Sequence, residues 1–148
     1  MEADDIDRRI LTGLLDNGRA TTSELAAVAD VDDTTADWHK NVLETVEVIS
    51  GYEPRLDYEL LGYELTAVIR LDTVSTARER LTASLAGEPH LHTVYEVTDS
   101  HDILAIGKFT DRAALERFRD NLTADEGVTA VTIDVATPLA EFEWFSPD

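Results

Sequence analysis

The sequence predicts an α+β protein with two domains, and three features support this prediction. Residues 1–52 contain three short helical hydrophobic patterns in succession. From about residue 65 the apolar residues recur at every second position, which is typical of a half-buried strand. Strand and helix patterns then alternate as far as residue 136. We therefore expect a helical domain at 1–52, a linker at 53–61 and an α+β domain at 62–148.

The helical domain is predicted to be a winged helix-turn-helix, the motif that places one helix against duplex DNA. Its first helix spans residues 4–17, its second begins at a capping box formed by Thr21 and Glu24, and its third spans 33–46. The residues expected to face the core follow three- and four-residue spacing: Ile6, Ile10, Leu11, Leu14 and Leu15, then Leu25, Ala26 and Val28, then Ala36, Leu43 and Val46.

The linker contains Pro54, which prevents a helix from continuing, and its alternation suggests a connecting strand or a hinge. Beyond it, the sequence predicts strands at 65–71, 91–98, 102–109 and 128–136, and helices at 75–86 and from Thr110 or Asp111 to Leu122. Thr76 and Glu79 have the spacing of a second capping box. The order β-α-β-β-α-β is the ferredoxin-like arrangement.

Both faces of this sheet are predicted to be apolar. In the strand 102–109, Ile103 and Ala105 belong to one alternating hydrophobic set, and Leu104 and Ile106 belong to the other. Helices cover one face, so a monomer would expose the second, to which we expect Val68 and Val94 to contribute. An exposed apolar patch of this size marks an interface. We therefore expect a homodimer or a higher homo-oligomer.

The charge of the chain argues against a nucleic-acid partner at ordinary ionic strength. The net charge is −19, and only two lysines occur among the twelve basic residues. Residues 1–52 hold 12 acidic and 4 basic side chains, a net charge of −8. A dispersed acidic surface poor in lysine suits a cytoplasm at molar salt, as in halophilic archaea, because it stays hydrated while its self-repulsion is screened. The alternative is an ordinary acidic protein that binds basic partners.

Several classes of protein are excluded or disfavoured. The chain has no cysteine, so it has neither disulfides nor thiolate zinc sites. Its acidic start is unlike a signal peptide, and no apolar run approaches the roughly 18 residues of a membrane span, which predicts a cytoplasmic protein with no membrane contact. No nucleophile arrangement or phosphate loop is evident, and His90 and His92 lack a third ligand. We therefore expect no enzyme activity, no cofactor and no metal.

Four features of the chain together carry a family resemblance. These are a DxxDRRIL pattern at 4–11, the helix-turn-helix, the sequence VISGY at 48–52 followed by Leu61-Gly62-Tyr63, and the C-terminal β-α-β-β-α-β unit. In this order they resemble the Lrp/AsnC family of prokaryotic transcriptional regulators. The resemblance implies dimers, often octamers, that bind double-stranded DNA through the N-terminal domain. It also implies a C-terminal domain that senses amino acids or related small molecules at subunit interfaces.

The resemblance, together with the helix-turn-helix, gives a set of expected DNA contacts. These are Arg8, Arg19, Thr21 and Thr22 at phosphates, and Thr34, Thr35, Trp38, His39, Lys40 and Asn41 on the third, recognition helix. The basic residues could instead pair with neighbouring carboxylates, and Trp38 could be a core or interface aromatic. Family recognition helices usually carry several Arg or Lys, whereas this helix carries Asp37 and one lysine.

The expected effector contacts lie in the turn between the two middle strands. Asp99, Ser100, His101 and Asp102 stand where the family often has Gly-Asp-Tyr-Asp. A carboxylate at Asp102 suits the ammonium group of an amino acid, and His101 titrates near neutral pH. The alternative is a solvated turn. We expect a sequence-specific transcriptional regulator, or else a sensing or interaction subunit of the same architecture without autonomous DNA binding.

The charge pattern predicts that the fold is stabilised by salt. At low ionic strength, 31 carboxylates repel one another over tens of ångströms, whereas at about 1 M salt the Debye length is about 3 Å. The thermal unfolding midpoint should therefore rise from about 0.1 M to multimolar KCl. A flat or falling profile, measured by circular dichroism, would contradict the halophilic interpretation.

Overall fold

The computed structural model describes residues 3–98 and 102–140, which form two compact units, 3–55 and 56–140. The elements are α1 (Asp5–Asp16), α2 (Thr22–Ala29), α3 (Asp33–Thr45), β1 (Leu65–Thr73), a 3-10 turn (Ser75–Ala77), α4 (Arg78–Ala86), β2 (Leu91–Glu96), β3 (Ile103–Phe109), α5 (Arg112–Thr123) and β4 (Val128–Ala136). None of the helices in these ranges is long and apolar enough to cross a membrane.

In the first unit, helices α1, α2 and α3 pack around one apolar core, as the sequence pattern predicts. The core residues share the three- and four-residue spacing: Ile10, Leu14, Leu25, Ala26, Ala29, Ala36 and Leu43. Three residues predicted for the buried stripes are instead exposed, namely Leu15, Val28 and Val46. Leu15 and Val28 lie beside the buried stripes of α1 and α2, and Val46 is the cap residue that follows the last residue of α3.

Side-chain caps fix the beginning of each of these helices. Thr21 and Glu24 form the predicted capping box of α2, in which each side chain accepts a hydrogen bond from the other residue's amide. Asp4 and Asp7 form a second capping box at α1. Asp32 caps α3, and the hydrogen bonds donated by the Thr35 amide and hydroxyl lower the pKa of its carboxyl.

The described part of the first unit, residues 3–55, contains no β-strand, so it lacks the strand-built wing of the predicted winged form. The connecting strand considered for 53–61 is also absent. Residues 58–62 instead form a turn closed by Gly62 at φ +88, a left-handed conformation that glycine adopts without steric cost. Pro54 lacks a backbone N–H and so cannot contribute one to a strand ladder.

The second unit, as described by 56–98 and 102–140, has a four-stranded antiparallel sheet in the order β2-β3-β1-β4. Helices α4 and α5 lie against one face of this sheet, which confirms the ferredoxin-like arrangement. The buried residues come from alternate positions of the central strands and from the helix stripes: Ala67, Ile69, Leu71, Ile103, Ala105 and Phe109 with Leu81, Leu85, Leu115, Phe118 and Leu122.

Two local predictions in this unit are wrong. The capping box of Thr76 and Glu79 does not form, because residues 75–77 adopt a 3-10 turn and α4 begins at Arg78 without a side-chain cap. Val94 packs against the core on the helix-covered face. The register of β2 shifts between Leu91 and Thr93, and this irregularity changes which side chains of the strand point to the core.

The second face of the sheet carries no helix. Val68 pairs with Ile106, and Leu104 pairs with Tyr95; these four residues alternate with the core positions and define the open apolar face. Tyr95 has 58% of its surface exposed, whereas the other three are partly buried. At one end of this face, the buried Lys108 donates a hydrogen bond to Thr66.

The close approach at Gly127 predicts a destabilising substitution. A Cβ at Gly127 would lie 2.5 Å from the Cβ of Ala77, whereas a Cβ at Gly87 makes ordinary contacts at 3.7 Å. Gly127→Ala should lower the free energy of unfolding by about 1–3 kcal/mol, because the core has no room to expand without strain. Gly87→Ala is the control in urea unfolding, and equal midpoints for the two variants would contradict this packing.

Candidate functional site

The exposed face of α3 is the candidate DNA-contacting surface. Thr34, Asp37, Trp38 and Asn41 lie on the side of the helix opposite its buried residues, and we call them the α3 face. Trp38 has 61% of its surface exposed, which is unusual for so large an aromatic residue in a folded unit. The indole of Trp38 is therefore available to a partner and is not part of the core.

The structure places His39, which was predicted to contact DNA, inside the unit and not on the α3 face. Only 7% of His39 is exposed, and its Nδ1 lies 2.7 Å from a carboxylate oxygen of Asp7, itself 5% exposed. The indole of Trp38 packs edge-on against the imidazole, with 4.8 Å between the ring centres. His39 thus joins α3 to α1 from inside the unit, because its position is in phase with the buried Ala36 and Leu43.

Two of the predicted hydroxyl contacts are already engaged in hydrogen bonds at helix caps. The Thr21 hydroxyl accepts the hydrogen bond of the Glu24 amide, and the Thr35 hydroxyl donates to Asp32. Thr22 is partly exposed in the first turn of α2, and Thr34 is exposed in the first turn of α3. These two are better placed than Thr21 and Thr35 to meet a phosphate.

The polar head of Asn41 is engaged on the α3 face itself. Its amide donates a 3.0 Å hydrogen bond to Asp37, four residues earlier on the helix. To contact a base edge, the Asn41 amide must therefore either use its second N–H or break its hydrogen bond to Asp37. The same bond holds the carboxylate of Asp37 beside any ligand of the face.

Two of the three basic residues predicted to contact DNA lie near carboxylates. Arg8 lies 4.0 Å from Asp5, and Lys40 lies 3.6 Å from Glu44. The Lys40 ammonium also lies 6.0 Å from the ring of Tyr52, a position alongside α3 and not on its exposed face. Arg19 is exposed in the turn before α2.

The environment of Tyr52 shows how acidic this side of the unit is. The Tyr52 hydroxyl donates a 2.7 Å hydrogen bond to Glu44. Desolvation, followed by that hydrogen bond and the charge of Glu44, raises the pKa of Tyr52 to about 12. The raised pKa means that the phenol holds its proton more firmly, as suits the hydrogen-bond donor to Glu44.

Of the four residues predicted to contact an effector, Asp102 lies within the described residues, and Asp99, Ser100 and His101 lie outside them. Asp102 accepts hydrogen bonds from the amide and hydroxyl of Thr73, the first at 2.6 Å, and it pairs with Arg78. The Thr73 amide is the main cause of a lowered pKa at Asp102, and Arg78 adds to it. The carboxylate thus links the start of β3 to the end of β1 and to α4.

Sequence reasoning missed the role of Asp7. Asp7 stands three residues before Ile10 and seven before Leu14, which places it on the buried stripe of α1. A carboxylate and an imidazole in phase with two buried stripes could have indicated that the two side chains meet. The sequence therefore indicates this contact, because buried ionisable groups are almost always paired.

Comparison with known proteins gives matches over most of the chain. The family described as "Lrp/AsnC ligand binding domain" matches residues 66–137. An uncharacterized HTH-type transcriptional regulator of Pyrococcus furiosus is 34% identical over 141 residues, which cover 95% of each chain.

Solved structures agree with these matches. The transcriptional regulator of Neisseria meningitidis, solved as a complex with L-Met, is 26% identical with a TM-score of 0.88, and the match covers 95% of this chain and 93% of that one. AsnC of E. coli also has a TM-score of 0.88, over 98% of this chain and 99% of its own. At 19% identity its likeness concerns the fold.

The buried position of His39 predicts a loss of stability on its removal. His39→Ala leaves the Asp7 carboxylate buried without the imidazole and should lower the free energy of unfolding by about 3 kcal/mol. Lys40→Ala, at the next residue, removes a partly exposed ion pair and should cost less than about 1 kcal/mol. Urea unfolding in molar KCl measures both. Equal costs for the two substitutions would contradict a structural role for His39.

Proposed function

Since the chain belongs to the Lrp/AsnC family of transcriptional regulators, we propose that it binds operator DNA in the cytoplasm through the α3 face. The observation that supports this most directly is the exposed indole of Trp38 opposite the buried stripe of α3. The relatives are named as HTH-type regulators, and α2 and α3 have the capped helix-turn-helix form. Helices of this motif enter the major groove with their N-terminal residues towards the base edges.

Each residue of the α3 face suits a particular contact. Thr34 lies in the first turn of α3, where free amides and the helix dipole favour a phosphate. The Trp38 indole offers an apolar surface for a thymine methyl group, and the Asn41 amide can bond an adenine edge in two places. These three residues read bases and position the helix without arginine.

The carboxylate of Asp37 sets the conditions for binding. It lies on the α3 face and accepts a hydrogen bond from Asn41, so it would meet DNA at close range. Asp32 and Asp33 add charge at the start of α3. Cations must accompany these carboxylates into the complex, because phosphate otherwise repels them. Molar salt supplies such cations at little cost in free energy.

The open apolar face of the sheet supports assembly with a second copy of the chain. Val68, Leu104, Ile106 and Tyr95 form one surface that no helix covers. A twofold axis through this face would bury it against itself and would place two helix-turn-helix units in one particle. We propose a homodimer as the smallest functional form, with larger homo-oligomers built from it.

A small-molecule effector is the third part of the proposal. The matched ligand-binding family covers residues 66–137, and the Neisseria relative is described as a complex with L-Met. We place the effector at the turn 99–102 and choose an amino acid as its class. Asp102 fixes one end of that turn through Thr73 and Arg78, and the residues expected to approach the ligand directly are Asp99, Ser100 and His101.

One observation favours a second function, that of a sensing subunit without autonomous DNA binding. The α3 face carries Asp37 and no basic residue, since Lys40 lies alongside it near Glu44. Such a subunit would act through mixed assembly with related chains. DNA binding by the isolated homo-oligomer separates the two functions.

The α3 face predicts an unusual dependence of DNA affinity on salt. A basic protein loses affinity as salt rises, because it releases counterions from the phosphates. Here affinity for the chain's own promoter region should stay flat or rise with KCl, since cations are taken up with Asp37. Asp37→Asn should strengthen binding at low salt and make the salt slope more negative. Fluorescence anisotropy across KCl concentrations measures both effects.

Two further variants make this prediction specific. Asp16→Asn removes the same charge from the exposed end of α1 and should leave the salt slope nearly unchanged. Trp38→Ala should weaken specific binding by about tenfold, which corresponds to about 1.4 kcal/mol. Absence of saturable binding at every salt concentration, with no effect of Trp38→Ala, would favour the sensing subunit.

The open face predicts a variant that separates the subunits. Leu104→Asp places a charge in the proposed interface, and the assembly should sediment as smaller particles because a buried unpaired charge costs several kcal/mol. Ala83→Asp, on the exposed side of α4, should keep the assembly intact. Sedimentation of the wild type as a monomer at all salt concentrations would overturn the proposed homodimer.

A further inference from the structure

Three side chains capable of binding a metal ion converge between α1 and α3. They are Asp4 and Asp7 at the start of α1 and His39 in the middle of α3, and one ligand atom from each lies within 4.8 Å of the others. The Nδ1 atom of His39 is 2.7 Å from Asp7 and 3.9 Å from Asp4. Asp4 is the exposed member, with 57% of its side chain accessible, whereas Asp7 and His39 are buried.

The imidazole distinguishes this cluster from the carboxylates that commonly lie at a helix N-terminus. His39 comes from a different helix, is more than nine-tenths buried, and points its Nδ1 atom into the cluster. Among residues 3–98 and 102–140, the polar partners of its ring are the carboxylates of Asp7 and Asp4. In that part of the chain, the imidazole therefore has polar contacts to this cluster alone.

The spacing of the three atoms fits a small divalent ion. At a metal–ligand bond length of about 2.0–2.2 Å, two ligands of a tetrahedral ion lie about 3.3 Å apart. The two distances from His39 Nδ1, 2.7 and 3.9 Å, lie on either side of this value. Shifts of about 0.6 Å would bring both distances from His39 to this value, and the third pair of ligand atoms, from Asp4 and Asp7, lies within 4.8 Å.

The capping box would orient the ligands instead of competing with the ion. The Asp4 amide donates to Oδ2 of Asp7, which leaves Oδ1 of Asp7 to face His39. The Asp7 amide donates to Oδ1 of Asp4, and a carboxylate oxygen can accept such a bond while it binds a metal. Exposure of Asp4 provides the path by which an ion and its remaining water would enter.

From this geometry we propose that Asp4, Asp7 and His39 form a binding site for a divalent first-row transition metal, with Zn²⁺ as the best fit. Two carboxylates and one imidazole give nitrogen and oxygen ligands, which suit Zn²⁺ and Co²⁺ better than Mg²⁺ or Ca²⁺. Binding replaces the hydrogen bond between His39 and Asp7, and the Nδ1 proton is released to solvent or moves to Nε2. This departs from the sequence-based expectation that the chain holds no metal.

An ion at this site would connect the first turn of α1 to the middle of α3. His39 precedes the partly exposed Lys40 and follows Trp38, whose indole packs against its ring. The metal would therefore hold the helix that carries the α3 face. The site itself does not depend on the proposed function, because metal uptake is measured without DNA.

The test is metal binding by the full chain after treatment with a chelator, in about 2 M KCl, where weak binding of ions to the acidic surface is screened. Co²⁺ should bind once per chain with visible d–d absorption, Zn²⁺ should displace it, and Zn²⁺ should raise the thermal unfolding midpoint. Excess Mg²⁺ should not displace Co²⁺. Absence of saturable uptake of one Co²⁺ per chain would overturn the proposal.

Matched variants locate the site. Asp4→Ser keeps a helix cap and removes the carboxylate, and it should weaken Co²⁺ binding at least tenfold while the metal-free protein stays folded. His39→Gln should also weaken Co²⁺ binding at least tenfold, whereas Asp5→Ser and the exposed His92→Gln should have no effect. Co²⁺ uptake that neither Asp4→Ser nor His39→Gln weakens would place the ion elsewhere and overturn the assignment. Because Asp4 is exposed and serine caps helices, the Asp4 variant decides the matter even if the His39 variant fails to fold.

Discussion

Electrostatic repulsion among carboxylates opposes folding along this whole chain. With 31 carboxylates and 12 cationic side chains, the compact state loses stability to this repulsion unless the excess charge is screened or kept apart. Part of that repulsion is offset where carboxylates cap helices, because the N-terminus of a helix carries a partial positive charge. The capping carboxylates are those of Asp4, Asp32 and Asp111. Each accepts a hydrogen bond from a helix amide, and at Asp32 the bonds from Thr35 lower the pKa of the carboxyl. Among the described residues, exposed carboxylates remain, and Asp37 on the α3 face is one of them.

The two units differ in the composition of their cores. In the first, a buried pair of ionisable residues, Asp7 and His39, lies beside a small apolar core and fixes how α3 meets α1. In the second, the core is wholly apolar on the helix side of the sheet, and the polar pair of Lys108 and Thr66 is on the other side. The first arrangement gives geometric specificity, because a misplaced α3 would leave a buried charge unpaired. The second gives bulk stability and leaves an apolar surface for assembly.

Much of the fold could be predicted from the sequence, because hydrophobic period and capping residues agree along most of the chain. The change from helical spacing to alternation near Leu65 predicted the second unit, and Thr21 with Glu24 predicted the start of α2. Predictions failed where a tertiary or local irregularity outweighed the pattern, as with the register shift that turns Val94 to the core. For the candidate site, exposure of Trp38 does not follow from its residue type. The burial of His39 was readable from its phase, but residue type suggested a DNA contact instead.

The proposed function requires that this acidic helix-turn-helix bind specific DNA when salt is high. Footprinting of the protein on genomic DNA in molar KCl tests it most directly. We expect discrete protected sites made of two half-sites about one helical turn apart, as a twofold assembly requires. Protection should weaken with Trp38→Ala and persist with Asp16→Asn. Uniform lack of protection in molar KCl, under conditions where the protein is folded and assembled, would contradict the proposed DNA binding.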